Sequence, residues 1–144
     1  MIEIVVNPDS FYKSNTGNLM GEIFFAVDRR VFPAEGWNDF ISVILHWWVT
    51  AYSGLSGKNS SCKMRFMDGD WCVRAVSLTE TDLELSFARY DGLEKQFTAA
   101  CTKKELKEAL ICAIENTAEA AAQMEDGGYA AELASLQKCL KNMD

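Results

Sequence analysis

The period of hydrophobic and polar positions changes several times along the chain, and each change predicts a new element. Residues 2–6 (IEIVV) have the composition of a strand, and residues 7–17 contain the turn residues of a loop. Residues 18–27 contain the apolar run IFFAV and predict a second strand. The polar residues 28–30 then predict a turn into a short return strand at 31–32.

From Trp37 the apolar residues recur at steps of three and four, which is the period of a helix with one buried face. The apolar stripe consists of Trp37, Phe40, Ile41, Ile44, Trp48, Tyr52 and Leu55. The opposite side, which we expect to face solvent, carries Asp39, Ser42, His46, Thr50 and Ser53. Val43 and Trp47 lie at the edge of the stripe, and Gly54 and Gly57 are expected to end the helix.

After a loop at 56–61, three segments alternate apolar and polar residues with period two, which is typical of strands with one buried face. The residues that we expect to be buried are Met64, Phe66, Trp71, Val73, Ala75, Leu83, Leu85 and Phe87. The pair Asp68 and Gly69 predicts a hairpin turn, because both residue types tolerate a positive φ. A second turn at 91–92 leads into a strand predicted at about 93–100.

The last third of the chain predicts two helices. Thr102 and Glu105 have the spacing of a capping box, in which each side chain bonds the backbone N–H of the other residue. The helix that follows would turn inward Leu106, Leu110, Ile114, Thr117 and Ala121, and the glycines at 127–128 would end it. A final helix at 129–141 places Leu133, Leu136 and Leu140 on one side.

The element order ββ-α-ββββ-αα predicts an α+β fold, because strands joined by hairpins form antiparallel sheets. We expect one antiparallel sheet of five to six strands, packed against the tryptophan-rich helix and the C-terminal helices. A length of 144 residues fits a single domain over 1–144 with a genuine hydrophobic core.

Charge and composition narrow the classes of function. A net charge of −7 argues against binding to nucleic acid or to an anionic membrane, since both need clustered Lys and Arg. The chain has no apolar run long enough for a membrane span, and its first residues lack a basic signal-peptide region. We therefore expect a cytoplasmic protein. Its five cysteines form no CxxC pair and are expected to be reduced, with no metal and no cofactor.

Candidate chemical groups are sparse. His46 is the only histidine, and its helical neighbours project outward rather than into a cleft, so we expect an exposed side chain and no catalytic residue. Trp47 lies off the apolar stripe and either packs against a neighbouring element or belongs to a partner-binding patch. Five acidic residues in the predicted turns and on the wet face of the sheet are the other partner-binding candidates: Asp68, Asp70, Glu80, Asp82 and Glu84.

The segment 22–48 carries a pattern of the form E-I-x-F-x-V-D-x-x-x-F-P-x-x-G-W-x-D-F-x-x-x-x-L-x-W-W. It resembles a pattern in small uncharacterised bacterial α+β proteins, some of which are immunity partners of secreted polymorphic toxins. The resemblance covers about a fifth of the chain and includes no catalytic residue. It implies a cytoplasmic protein that binds another protein and is not an enzyme.

The leading hypothesis is therefore an immunity-type protein that covers the active site of a basic toxin domain through its acidic residues and an aromatic hot spot. A second hypothesis is a small-molecule-binding or enzymatic domain with His46 or Arg74 in a cavity. A third is a homo-oligomeric accessory protein, for example a homodimer, that associates through Trp47 or the leucine face of the last helix.

Overall fold

The computed structural model describes residues 1–124 and 129–143 and has the predicted α+β class. In chain order the strands and helices are β1 (Ile2–Lys13), β2 (Leu19–Val27), β3 (Arg30–Phe32), β4 (Asn38–Phe40), α1 (Ile41–Ser53), β5 (Ser61–Arg65), β6 (Cys72–Ser77), β7 (Asp82–Arg89), β8 (Glu94–Thr102), α2 (Lys103–Ala122) and α3 (Ala130–Lys141). A single 3-10 turn, Tyr90–Gly92, connects β7 to β8.

Within the described residues the strands form two antiparallel sheets of four, where we expected a single sheet of five to six strands. In the first sheet β2 pairs with β1 along one edge, and along the other edge it pairs with β3 at one end and β4 at the other. The second sheet is the meander β5-β6-β7-β8. The turn at Asp68 and Gly69 predicted the pairing of β5 with β6, whereas the sequence left open whether residues 93–100 pair, and in the structure β8 pairs with β7. No local signal tells where one sheet ends and the next begins.

The prediction that the tryptophan-rich helix begins at residue 37 is wrong. Asn38–Phe40 is strand β4, and helix α1 begins only at Ile41 and ends at Ser53, just before Gly54. The apolar steps of three and four run unbroken through this short strand, so the helical period was extended too far. Asp39 and Ser42, which we expected in solvent, are buried.

Strand β1 is also longer than predicted, because it continues to Lys13 where we expected a loop from residue 7. Its register against β2 shifts between Asn7 and Tyr12. Within this irregularity the Ser10 hydroxyl donates to the Asn7 carbonyl at 2.6 Å and accepts from the Glu22 N–H at 2.8 Å. A bulged edge strand accommodates polar residues that would disrupt a central strand.

The hydrophobic core lies where the inner faces of the two sheets meet helix α1. Phe25 and Phe32 of the first sheet contact Phe87 of the second sheet, with ring centroids 5.7 and 5.3 Å apart. Trp48 of α1 and Phe66, which follows β5, complete the aromatic centre. Their ring centroids lie 5.1 Å apart. Edge-to-face pairs of this kind add to the stabilisation from burial alone.

Of the two C-terminal helices, α2 packs on strand β1 of the first sheet, and α3 packs on α2 and on α1. The predicted capping box is confirmed, because Thr102 Oγ1 accepts from Glu105 N at 3.0 Å and Glu105 Oε1 accepts from Thr102 N at 2.9 Å. Helix α2 ends at Ala122, and the glycines expected to end it lie outside the described residues. Leu133 and Leu140 of α3 are fully buried within the chain and Leu136 is partly buried against the core, so the leucine face packs mainly on the protein's own interior.

Candidate functional site

The tryptophans at 47 and 48 have opposite environments although they are neighbours in sequence. Trp48 is fully buried, whereas 42% of Trp47 is exposed. Successive residues of a helix point about 100° apart, so one of the two side chains turns into the core while the other turns outward. Trp47 is therefore the exposed aromatic residue that the sequence identified as a partner-binding candidate.

Trp48 fixes the position of helix α1 against strand β5. Its indole N–H donates to the carbonyl of Arg65 at 2.7 Å. Its ring lies 5.2 Å from that of Phe25. Since a buried indole N–H needs an acceptor, this bond determines which part of the helix meets the strand. It also places Trp47 beside the side chains of β5 that point away from the core.

A shallow hollow of about 440 Å³ lies between helix α1 and strand β5. We call it the Trp47 surface, and its lining consists of Trp47, Thr50, Ala51, Lys63 and Arg65. Lys63 and Arg65 lie two residues apart on one strand, and their side chains therefore project from the same face. The hollow thus combines an aromatic ring, a small apolar floor and two cations.

Asp91 holds both cations in place. Arg65 Nη2 and Nε donate to Asp91 Oδ1 at 2.9 and 3.1 Å. Lys63 Nζ lies 3.4 Å from the same oxygen and donates to the Asp91 carbonyl at 3.0 Å. Asp91 and Tyr90 have φ angles of 55° and 54°, a left-handed backbone that non-glycine residues adopt uncommonly. The turn therefore adopts an unfavourable conformation in which its carboxylate meets the two cations.

The Asp91 carboxyl has a pKa below its ordinary value of 3.8, chiefly because Arg65 donates a hydrogen bond to it. Replacing Arg65 by Gln removes the charge that favours the ionised form, so we expect the pKa of Asp91 to rise toward 3.8. Titration of the side-chain carboxyl carbon by NMR measures this change. Lys104→Gln, at the start of helix α2, is the matched control and should leave the Asp91 pKa unchanged. An unchanged pKa in Arg65→Gln would contradict the assigned contact.

The solvent-facing side of the second sheet extends this cationic character. Lys63 lies directly opposite Arg74 on the neighbouring strand, and the next pair along places Arg65 opposite Cys72. Like charges in directly opposite positions destabilise a sheet. Arg74 is exposed, so its guanidinium is solvated. The sequence suggested that Arg74 is partly buried in a cavity, and this is wrong.

The acidic candidates do not form one patch with Trp47. Asp68 and Asp70 lie in the turn between β5 and β6, and Glu80 lies in the turn between β6 and β7, at the opposite end of the sheet. Strand β6 separates these ends by roughly 20 Å, at about 3.3 Å for each of its residues. Asp82 and Glu84 begin β7 at the Glu80 end. All five residues are exposed, as the sequence predicted.

Sequence reasoning missed Asp39, which organises the entry to helix α1. Its side chain is fully buried and accepts from Trp37 Nε1 at 2.9 Å, Phe40 N at 2.7 Å and Asp68 N at 3.2 Å. Burial raises the pKa of Asp39 above 3.8, while the hydrogen bonds from Trp37, Phe40 and Asp68 lower it. The spacing W-x-D was the available signal, because an Asp two residues after a partly buried indole can accept its N–H.

His46 is half-exposed, where we expected an exposed side chain, and it has a carboxylate neighbour that the sequence did not reveal. Its Nδ1 atom lies 3.3 Å from Glu132 Oε1 of helix α3 and 3.3 Å from the Ser42 carbonyl. The pair therefore connects α1 to α3 at the surface. A carboxylate can orient an imidazole for proton transfer, but that chemistry also needs a nucleophile or substrate beside the ring.

The cysteine thiols carry no disulfide. All five are free, with Cys72 and Cys101 buried and Cys62 half-buried. Burial raises the pKa of Cys62 and of Cys101 to about 11, so both remain protonated at neutral pH and are poor nucleophiles. Within residues 1–124 and 129–143, no three His, Cys, Asp or Glu side chains lie close enough together to hold a metal ion.

The protein is therefore a two-sheet α+β protein, and the Trp47 surface between helix α1 and the sheet-edge strand β5 is aromatic and cationic. Comparisons with protein-family models, with curated proteins and with solved structures find no match to this chain. None of the helices described within 1–124 and 129–143 has the length and apolar character needed to cross a membrane.

Proposed function

We propose that this is a non-enzymatic protein-binding protein whose partner contacts the Trp47 surface. The observation that carries the proposal is the exposed indole of Trp47 beside the guanidinium of Arg65. Trp and Arg are the residue types most enriched at binding hot spots, because each offers a large contact area together with a polar group. Their pairing over a small apolar floor supports a protein contact.

The contact residues are already ordered before binding. Trp48 anchors the helix that carries Trp47, and Asp91 holds Arg65 and Lys63 by direct hydrogen bonds. Because side chains that are fixed in advance lose less conformational entropy on association, pre-ordering raises the affinity that a small contact area can reach.

The charge of the surface selects the chemistry of the partner. Lys63, Arg65 and Arg74 favour a partner segment that brings carboxylates together with one apolar side chain for the indole. The acidic residues at the two ends of the sheet would contact basic groups of the same partner farther out. The partner thus differs from the basic toxin domain that the sequence suggested, since its central contact with the Trp47 surface would be acidic.

The most specific form of this proposal is an immunity-type role, in which a cytoplasmic protein binds a toxic enzyme stoichiometrically and covers its active site. Its support is the pattern at 22–48, of which Trp47 and Trp48 are the last two residues. The pattern also includes Trp37 and Asp39, the bonded pair that positions helix α1 and hence Trp47. The same segment therefore forms the scaffold of the proposed contact.

Quantitative affinity capture from the native host tests the proposal. The baits are the wild-type chain, Trp47→Ala, Arg65→Glu and the matched control Tyr12→Ala, which removes an aromatic side chain that is 48% exposed on strand β1 of the first sheet. We expect one partner protein to be retained by the wild type and the control and reduced at least tenfold by the other two variants. Equal retention by all four baits would contradict the proposed surface.

Two further measurements separate the specific role from the general one. Inhibition of the captured partner's enzymatic activity at a one-to-one ratio supports the immunity role, and full activity in the complex contradicts it while leaving the binding surface intact. Light scattering of the purified chain identifies the homodimer alternative, in which Trp47→Ala would convert a dimer to a monomer.

A further inference from the structure

The open edge of strand β8 lies on the opposite side of the second sheet from β5. The sheet has the order β5-β6-β7-β8, so β8 has a neighbour on one side only. Three strand spacings of about 4.8 Å separate it from β5 and hence from the Trp47 surface. The two sites therefore do not share residues, and each can be tested without the other.

The pairing pattern shows which backbone groups of β8 point outward. Lys103 N donates to Thr81 O at 2.8 Å, next to the directly opposite residues Thr102 and Asp82. In an antiparallel ladder this makes Thr102–Asp82 a pair without mutual hydrogen bonds, and such pairs recur at every second residue. The N–H and C=O groups of Thr98 and Ala100 therefore point away from β7.

The same alternation of pairs predicts that the N–H of Thr102 also points away from β7. This is confirmed, because the Thr102 N–H donates to Glu105 Oε1 and not to β7. For Thr98 and Ala100 no described residue supplies a hydrogen-bond partner on the open side. Unpaired backbone groups in a row are the template that an added strand requires. The bulge of β8 lies near Gln96, so the segment 97–101 that follows it is regular.

A slit of about 410 Å³ runs along this segment, between β8 and the turn that joins β2 to β3. We call it the β8 slit. Its apolar part is formed by Ile2, Val27, Leu85, Phe97 and Ala99. Asp28, Arg29 and Arg30 form its rim, where the Asp28 carboxylate is paired with the N-terminal ammonium at 3.1 Å and the two arginines supply the remaining charge. The Arg30 guanidinium lies 4.9 Å from the centre of the Phe97 ring. The volume is within the usual range of binding pockets, about 300–1,000 Å³.

We propose that the β8 slit binds an extended peptide segment of a partner protein by strand addition. The backbone of the segment would pair with Thr98 and Ala100, and alternate side chains would enter the slit. Those side chains are apolar and β-branched, because the floor is apolar and the segment is a strand. A carboxylate next to them would meet Arg29, which is exposed at the rim.

Selection from a displayed library of random peptides of about seven residues is the test. The wild-type chain is the target, and Ala100→Pro is the counter-target. Proline removes an N–H that points outward, so no bond to β7 is lost and an edge strand tolerates it. Ala100→Val is the matched control, since it enlarges the side chain but keeps the N–H. Circular dichroism and thermal melts confirm that each variant is folded.

We expect selected peptides to alternate β-branched residues with acidic ones, and to bind Ala100→Pro at least tenfold more weakly than the wild type or Ala100→Val. Arg29→Glu should also weaken binding about tenfold, through like-charge repulsion. We expect the amide hydrogens of Phe97 and Ala99 to exchange slowly in the free chain and those of Thr98 and Ala100 to exchange fast. With a peptide bound, all four should exchange slowly.

Three results would overturn the proposal. The first is a selection that enriches no peptide over the Ala100→Pro counter-target. The second is a set of selected peptides that leaves the exchange of the Thr98 and Ala100 amides unchanged, which does not depend on whether the proline variant folds. The third is a wild-type dimer that Ala100→Pro converts to a monomer, because a second copy would then occupy the edge.

Discussion

Trp48→Ala is expected to lower the free energy of unfolding by about 3–5 kcal/mol, the range for removal of a buried aromatic side chain. The indole is fully buried, and its ring centroid lies 5.2 Å from that of Phe25 and 5.1 Å from that of Phe66. Its loss leaves a cavity at the aromatic centre of the core and also leaves the Arg65 carbonyl without its donor. Equilibrium denaturation in urea, extrapolated linearly to water, measures the change.

The neighbouring residue is the matched control. Trp47→Ala removes the same side chain from the same helix, but from an exposed position, and should change the free energy of unfolding by less than about 1 kcal/mol. Trp48→Phe separates the two losses, because it keeps most of the packing and removes only the hydrogen bond, for about 1 kcal/mol. Similar destabilisation by both alanine variants would contradict the assigned burial.

Asp39→Ala is expected to be nearly as damaging, with a loss of about 3 kcal/mol or more, since each unsatisfied buried donor costs about 1–3 kcal/mol. The variant leaves the N–H groups of Trp37, Phe40 and Asp68 without their acceptor. The connection between the start of helix α1 and the turn after β5 is lost with them. Denaturation in urea gives the loss, and a reduced hydrogen-exchange protection of the Asp68 amide localises it.

Asp39→Asn tests the direction of these hydrogen bonds. The amide has the same shape as the carboxylate, but one of its oxygens is replaced by an NH₂ donor that faces another donor, so we expect a loss of about 1–3 kcal/mol. Asp70→Asn, at an exposed position in the turn after β5, is the control and should change stability by no more than about 0.5 kcal/mol. Wild-type stability in Asp39→Asn would show that the carboxylate is not an essential acceptor.

Local signals predicted much of the fold. The hairpin turn at Asp68 and Gly69 and the capping box of Thr102 and Glu105 each depend on residues that are close in sequence, and both are present. Period-two alternation gave the buried positions of the second sheet, such as Val73 and Leu85. In these regions the local sequence and the three-dimensional environment favour the same conformation.

The errors fall where distant segments decide the structure. Strand β4 exists because Asn38–Phe40 pairs with residues 20–22 of β2, and three residues are too few to display a strand period. The helical pattern predicts an exposed Asp39, but helix α1 begins only at Ile41, so the prediction does not apply to this residue. Its burial depends on donors from Trp37 and from Asp68, which is distant in sequence, and no pattern within the helix reveals that contact.

The candidate site was predicted only in part. Trp47 was identified because it departs from the apolar stripe of its helix, and this is a local property. Lys63 and Arg65 appeared only as the polar positions of an alternating strand. Their function as a fixed pair depends on Asp91, which is 26 residues from Arg65 in the chain. The acidic residues are visible in the sequence as individual charges, whereas this cationic surface exists only in the folded chain.

The dissociation constant of Trp47→Ala for the captured partner, measured by titration calorimetry beside the wild type, tests the central claim most directly. If the indole is the hot spot of the interface, the variant binds at least tenfold more weakly while its melting temperature stays within about 2 °C of the wild type. A dissociation constant within about twofold of the wild type, in a folded variant, would contradict the proposed surface. Truncating a hot-spot residue to alanine weakens binding by well over about twofold.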